Sequence, residues 1–227
     1  MPLPVIVLRP EPGCAATVEA ARAQGLAAHG HPLFEVRALA WQAPDAGSVD
    51  GLLLGSANAL RHGGPALAAF RGKPAWCVGE TTAQAAQEAG LVVAATGSGG
   101  LQPVLDKVPP ARLLRLCGAE RVVLTPPPGV TLMERIVYDT APLPISADLA
   151  ERLRAGAVVL LHSAGAASHF AREADRLGIA RDGLRLAALG PRIAQAAGDG
   201  WASLATAPQA SDAALLALAH KLCQSRA

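Results

Sequence analysis

The sequence predicts an α/β fold of two doubly wound parallel-sheet domains of similar architecture, joined by a two-stranded hinge. Three observations carry this. First, two halves of the chain repeat the same pair of motifs: Leu52-Leu-Leu-Gly-Ser-Ala-Asn-Ala-Leu60 is echoed by Val159-Leu-Leu-His-Ser-Ala-Gly-Ala-Ala167, and Val78-Gly79-Glu80-Thr81-Thr82-Ala83 by Leu189-Gly190-Pro191-Arg192-Ile193-Ala194. A repeat distance of about a hundred residues is too long for a solenoid and fits two domains of one architecture. Second, short apolar runs alternate with alanine-rich helical stretches, the pattern of parallel sheets covered on both faces. Third, hydrophobic residues make up 51% of the 227 residues but aromatics only 3%, so the cores must be built from Ala, Val and Leu. Such small side chains suit close helix-on-sheet packing, and the length allows two small cores.

Val5–Leu8 is the first apolar run, and Val18, Ala21 and Leu26 after it recur at helical spacing. Gly25 and Gly30 break that helix, with His29 and His31 expected in a solvated loop. Pro32–Ala40 has an extended pattern, as does Arg135–Leu143. Between them, runs at Gly51–Leu54, Ala75–Val78, Leu91–Ala95 and Leu113–Leu116 supply four strands. After Pro144 the cycle restarts at Ala157–Leu161, Leu186–Leu189 and Ser203–Ala205, and a last helix is expected from Asp212 to about Leu222.

The middle block holds a full set of strands, the last block lacks one, and the unit at 1–29 can supply it. The expected organisation is a discontinuous domain 1 (1–30 and 146–227), a two-stranded linker (31–44 and 134–145) and an inserted domain 2 (45–133). Two consecutive domains, 1–105 and 110–227, are the alternative arrangement. In either case a ligand site is expected between the domains.

Composition excludes several classes of function. With 20 Lys and Arg against 18 Asp and Glu, and no basic run, nucleic acid is not an expected partner. No apolar stretch is long enough to span a bilayer. Met1–Leu8 enters a strand without the basic region or cleavage site of a signal peptide, so a cytoplasmic protein with no membrane association is expected. Cys14, Cys77, Cys117 and Cys223 are widely spaced and read as buried free thiols. No phosphate-binding lysine loop is present, Gly97-Ser-Gly-Gly100 lacks dinucleotide-binding spacing, and the histidines show no metal-ligand pairing, so neither cofactor nor metal is expected. A serine hydrolase lacks its Gly-x-Ser-x-Gly turn.

What remains is a set of strand-to-helix turns rich in small and hydroxyl residues. They are Ser56-Ala57-Asn58, Gly79-Glu80-Thr81-Thr82 and Gly118-Ala119-Glu120, then Ser163-Ala164-Gly165 and Gly190-Pro191-Arg192. In a parallel sheet such turns sit at the carboxyl ends of strands, where ligands bind and backbone N–H groups stay accessible. Each alone reads as an ordinary helix cap. Their duplication points to one polyanionic ligand held from both sides.

Leu8-Arg9-Pro10, Ser56-Ala57-Asn58-Ala59, Val78–Ala83, Leu116-Cys117-Gly118, Val137-Tyr138, His162-Ser163-Ala164 and Leu189-Gly190-Pro191 occur in an order that resembles the uroporphyrinogen-III synthase family over nearly the whole chain. The resemblance implies two α/β domains joined by a two-stranded ladder and an activity in haem biosynthesis. Linear hydroxymethylbilane is closed to a macrocycle with inversion of its last ring, without cofactor or metal, by a monomer. It implies that Tyr138, the single tyrosine, helps release the substrate hydroxyl. It also implies substrate contacts, largely by backbone amides, at Arg9, Ser56, Ala57, Asn58, Gly79, Thr81 and Thr82, and in the later turns at Gly118, Ser163, Ala164, Gly190 and Arg192. Two departures stand out: Arg192-Ile193 replaces threonines of some relatives, and Pro126-Pro127-Pro128-Gly129 interrupts what the resemblance implies is a helix after Gly118. The competing reading is a cofactor-free two-domain binding protein for a small polyanionic ligand; a nucleotide enzyme lacks its glycine fingerprint.

Overall fold

The central apolar runs become strands buried on both faces, while the runs at 91–95 and 203–205 form more exposed edge strands. A computed structural model describes residues 3–224. In chain order the strands are β1 (Val5–Val7), β2 (Ala28–Gly30), β3 (Phe34–Ala38), β4 (Gly51–Leu54), β5 (Pro74–Val78), β6 (Val92–Gly97), β7 (Ala111–Gly118), β8 (Val130–Pro142), β9 (Ala157–Leu161), β10 (Leu184–Ala188) and β11 (Ser203–Thr206). The helices are α1 (Gly13–Ala23), α2 (Asn58–Arg61), α3 (Glu80–Glu88), α4 (Gln102–Leu105), α5 (Ala147–Arg154), α6 (Ala164–Arg176), α7 (Pro191–Ala197) and α8 (Asp212–Gln224). The chain divides into two compact units, Met1–Glu35 with Ala141–Ala227 as unit 1 and Val36–Thr140 as unit 2.

Unit 1 holds a five-stranded sheet, β2-β1-β9-β10-β11, in which every neighbouring pair is parallel. Alternate residues of its strands feed two cores: Ile6, Leu8, Val159, Leu161 and Leu186 on one face, Val5, Val7, Val158, Leu160 and Ala187 on the other. This is why β9 reads as an unbroken apolar run rather than an alternating one. Phe170 of α6 is fully buried against the first face and stacks on Trp201 at 5.5 Å between ring centroids. Helices α5 and α6 start where Ser146 Oγ accepts from Leu149 N–H and Ser163 Oγ accepts from Ala166 N–H, both at 3.2 Å, so each serine satisfies one unpaired amide of a first turn.

Unit 2 holds a six-stranded sheet, β3-β8-β7-β4-β5-β6, parallel from β8 through β6. Its cores divide in the same way, with Leu52, Leu54, Leu114 and Leu116 on one face and Leu53 and Leu113 on the other. Beside β3, Leu39 N–H donates to Val137 O at 2.9 Å and Leu143 N–H to Leu33 O at 2.8 Å. As residue numbers fall on one segment they rise on the other, so β3 lies antiparallel to β8.

The two sheets share one spatial plan with the chain entering at different points. Strands β8-β7-β4-β5-β6 of unit 2 stand in the places of β2-β1-β9-β10-β11 of unit 1. The Ser56 strand β4 thus corresponds to the Ser163 strand β9, and the first βα unit completes the second half of the chain. It supplies two strands rather than the single one expected. Ala28–Gly30 is β2, and His29, expected in a loop, pairs with Ile6 in the parallel ladder. Its brevity and flanking glycine hide it from any periodicity. Helix α5 was also not anticipated, and β8 begins at Val130, before the expected Arg135. No helix forms between β7 and β8: prolines 126–128 provide no backbone donors, so the parallel connection runs as an exposed loop.

Phe170→Ala should destabilise the protein by about 3–5 kcal/mol, the usual cost of emptying a buried aromatic site. Chemical denaturation should register this as a lower midpoint.

Candidate active site

Unit 2 adds strands to one side of β4 (β5, β6) and then to the other (β7, β8). The crossover helices leave in opposite directions at such a reversal, and a crevice opens between the carboxyl ends of the two strands. At this point, between β4 and β7, lies a cavity of about 220 Å3 lined by Gly55, Ser56, Gly118, Tyr138, Arg115 and Arg121, among others.

Tyr138 is aimed at the cavity by a β-bulge. Cys117 pairs with Ile136, but Gly118 pairs with Tyr138, leaving Val137 as an extra residue on β8. The bulge cancels the alternation of the strand: Val137 is buried in the core face and its neighbour Tyr138 packs against the same cluster. Gly118 makes room for the ring, since a Cβ there would lie 2.7 Å from Tyr138 Cζ and 3.0 Å from its hydroxyl oxygen. The His62 ring lies 6.3 Å from that of Tyr138.

The charges at the cavity come from β7, β8 and the loop that joins them. Arg115, whose side chain is 4% exposed, pairs across the ladder with Glu134, its register partner on β8, at 2.5 Å. Arg121 reaches the other carboxylate oxygen at 3.1 Å. Arg115 Nη1 also donates to Val122 O at 2.9 Å, while its buried Nε has no protein partner. Burial works to raise the Glu134 pKa, but the hydrogen bonds and charges of Arg121 and Arg115 outweigh it and hold the carboxyl below its ordinary value of 4.5. The triad carries one more positive than negative charge, and Glu120 stands exposed at the rim.

Of the turn residues singled out in the sequence, Ser56, Gly118 and Tyr138 meet in this cavity. Ser56 Oγ accepts from Asn58 N–H at 3.2 Å, Ala57 is buried, and Asn58 Oδ1 accepts from Arg61 at 3.4 Å. Gly79 lies elsewhere in unit 2, in a second cavity of about 450 Å3 at the ends of β5 and β6 with Glu80, Thr96, Ser98 and Lys107. Gly79 takes φ 76°, a conformation glycine adopts without strain, and α3 starts there without a side-chain cap. Thr81 is exposed and Thr82 buried.

In unit 1 the reversal falls between β1 and β9. Arg9 follows β1, and His162-Ser163-Ala164 follows β9. Arg9 Nη1 contacts Asp212 Oδ2 at 2.8 Å and Thr17 Oγ1 at 3.3 Å, and Thr17 Oγ1 donates to the same Asp212 oxygen at 3.1 Å. Gly190 begins α7 in extended conformation, and Arg192 in its first turn is exposed.

Sequence reasoning missed Arg115, Glu134 and Arg121, and in unit 1 His162, Thr17 and Asp212. Arg115 had a signal: a charge inside the apolar run Leu113-Leu-Arg-Leu-Cys117 demands a buried partner. Asp212, 203 positions from Arg9, had none. Among the described residues, no group of three or more His, Cys, Asp or Glu side chains is placed to hold a metal ion.

Glu134→Gln leaves the buried Arg115 without its counter-charge. It should cost about 2–3 kcal/mol, less than for a fully buried pair because the Glu134 side chain is 33% exposed. Because the folded pKa of Glu134 is lowered, the wild type holds this contribution fully above the unfolded value and loses it as pH falls through the folded one. The stability gap between wild type and Glu134→Gln, followed by denaturation from neutral pH into acid, should therefore close.

A family model described as uroporphyrinogen-III synthase HemD matches residues 15–217. No curated protein sequence matches significantly. Among solved structures, the uroporphyrinogen-III synthetase of Helicobacter pylori 26695 superposes with a TM-score of 0.64 at 17% identity, covering 97% of this chain and 99% of the other. A mutant uroporphyrinogen III synthase of the extremely thermophilic bacterium Thermus thermophilus gives 0.53 at 17% identity, covering 98% and 100%. At these identities the superpositions speak for a shared two-domain fold, and the family match spans most of the sequence. The chain belongs to the uroporphyrinogen-III synthase family.

Proposed function

We infer that the chain is a cyclising lyase of haem biosynthesis that converts hydroxymethylbilane to uroporphyrinogen III, inverting ring D. The observation that carries the mechanism is Tyr138 over Gly118 in the cavity at the sheet reversal. A phenol there donates a hydrogen bond to the terminal hydroxyl as its bond to carbon breaks. The phenol proton goes with the hydroxyl so that water leaves, and an azafulvene cation and a phenolate remain. Ring D attacks the cation to give a spiro intermediate that rearranges to the inverted ring, the proton lost from carbon returning to the phenolate. The enzyme's main task is to hold the reacting carbons in contact, an entropic contribution that geometry alone supplies.

At about 220 Å3 the cavity is smaller than the roughly 300–1,000 Å3 of a typical drug-sized ligand site. It suits one substituted pyrrole, with the rest of the linear tetrapyrrole outside. Arg121 is placed to meet an acid side chain on that ring. Further carboxylates are assigned to the turn amides at Ser56, Ala57, Asn58, Gly79, Thr81 and Thr82, and in unit 1 to Arg9, Ser163, Ala164, Gly190 and Arg192. The Ser56 and Ser163 hydroxyls already accept backbone bonds, which favours recognition by N–H groups rather than side chains. A cytoplasmic setting fits the free thiols at Cys14, Cys77, Cys117 and Cys223. No helix among the described residues is long and apolar enough to cross a membrane. A monomer fits the distribution of exposed large apolar side chains, Leu39, Val92, Met133 and the Val122–Val123 pair.

Given freshly generated hydroxymethylbilane, the protein should direct product to the type III isomer over the spontaneous type I ring. Chromatography of the oxidised isomers decides, and type I alone would overturn the assignment. Tyr138→Phe keeps the ring and removes the donor, so turnover should fall about 10²-fold or more with little change in thermal stability. A fully active Phe variant would remove the hydroxyl from the mechanism.

A further inference from the structure

We propose that the strand reversal of unit 1 is a carboxylate-binding site whose resident occupant is Asp212: an acid group of the ligand takes the Arg9 guanidinium, and the released Asp212 carboxylate turns to His162. The proposal deepens the polycarboxylate-substrate reading above and rests on it for the identity of the natural ligand.

Position is the first argument. Strands β1 and β9 hold in unit 1 the places that β7 and β4 hold in unit 2, so Arg9 and His162 stand where unit 2 has its Tyr138 cavity. The second argument is what fills the place. Asp212, in the first turn of α8, puts Oδ2 onto Arg9 at 2.8 Å and Thr17 at 3.1 Å, the arrangement a ligand carboxylate would adopt. Both Arg9 and Asp212 are partly exposed, so an incoming acid can reach the pair and exchange with it. The third is His162. Its side chain is only 7% exposed, neither ring nitrogen is held at full hydrogen-bond geometry although the Leu160 backbone lies close enough to act on its proton, and Nε2 faces Asp212 Oδ1 across 3.7 Å, just too far for a bond. A buried imidazole with poorly satisfied ring nitrogens is costly unless a better partner arrives in another state. A small turn of the Asp212 side chain supplies it.

The exchange carries a proton. Burial, and then the charge of Arg9, push the His162 pKa down to about 4 against the opposing pull of Asp212 and the Leu160 backbone, so at neutral pH the ring is neutral. Arg9 and Asp212 are the charged groups that bear on it. Once a ligand carboxylate neutralises Arg9 and Asp212 moves against Nε2, the imidazolium is favoured, and a proton enters from solvent with each acid bound.

The test uses the full chain with propionate as probe, read by the 15N–1H resonance of Arg9 Nε (assigned by its loss in Arg9→Lys) and by the 15N shifts of the His162 ring. Propionate should move both, and binding should weaken as pH rises, by at most about tenfold per unit for one proton taken up per ligand. Asp212→Asn removes the competing charge and should tighten binding about tenfold while flattening the pH dependence. Asp212→Ser, which keeps a small hydroxyl side chain and leaves the Ser211 cap of α8 in place, serves if the Asn variant folds poorly. His162→Gln should bind without proton uptake. An Arg9 resonance indifferent to propionate, no gain in Asp212→Asn or Asp212→Ser, or proton uptake persisting in His162→Gln would each overturn the proposal. None of these readouts depends on turnover, so a chain yielding only the type I isomer while Arg9 responds would refute the reaction and leave this site standing.

Discussion

The single reversal of strand order in each sheet is the constraint on which the rest of this structure depends. Parallel strands buried on both faces force their connections to cross over the sheet, so the parallel strands of a unit, all but the antiparallel edge strand β3, end on the same side. Where the order reverses, the outgoing connections diverge and expose backbone that elsewhere is covered. In unit 2 the reversal separates Gly55-Ser56 from Gly118, and in unit 1 it separates His162-Ser163 from Arg9. Chemistry gathers at these two places because packing leaves them open.

What occupies each opening follows from local backbone geometry. In unit 2 the bulge opposite Cys117 and Gly118 turns Tyr138 to the same side as Val137, and the missing Cβ at Gly118 lets the ring settle against the neighbouring strand. The phenol is thus held by strands rather than by a loop, which suits its proposed role of meeting a leaving hydroxyl in a fixed geometry. Beneath it, the pair of Arg115 with Glu134 places ions in the interior of a sheet. A hydrophobic pair of similar volume would hold the ladder as well, since burying two ions costs about what their attraction returns. The gain is a buried guanidinium beside the cavity, with its carboxylate partner also holding Arg121, in a family whose substrate bears several carboxylates.

The duplicated motifs make the two units look alike in sequence, yet the same sheet position has been filled in opposite ways. Unit 2 presents a phenol with arginines tied back to Glu134, whereas unit 1 presents an arginine covered by Asp212. On the proposed function, one opening meets the departing oxygen and the other an acid side chain.

The sequence by itself determined the fold class, most strand positions, the repeat relating Ser56 to Ser163, and the prominence of Tyr138 as the lone tyrosine. These are local or periodic properties: an apolar run, a turn rich in small residues and a repeated phrase are legible wherever the chain goes. Beyond reach were the short strand β2, the bulge that aims Tyr138, the ladder pair of Arg115 with Glu134, and the contact of Arg9 with Asp212. Each depends on register or on the meeting of segments far apart in the chain. Three residues carry no periodicity, a bulge needs its partner strand to be defined, and the energy of an ion pair depends on the few ångströms between its groups. Only packing fixes that distance.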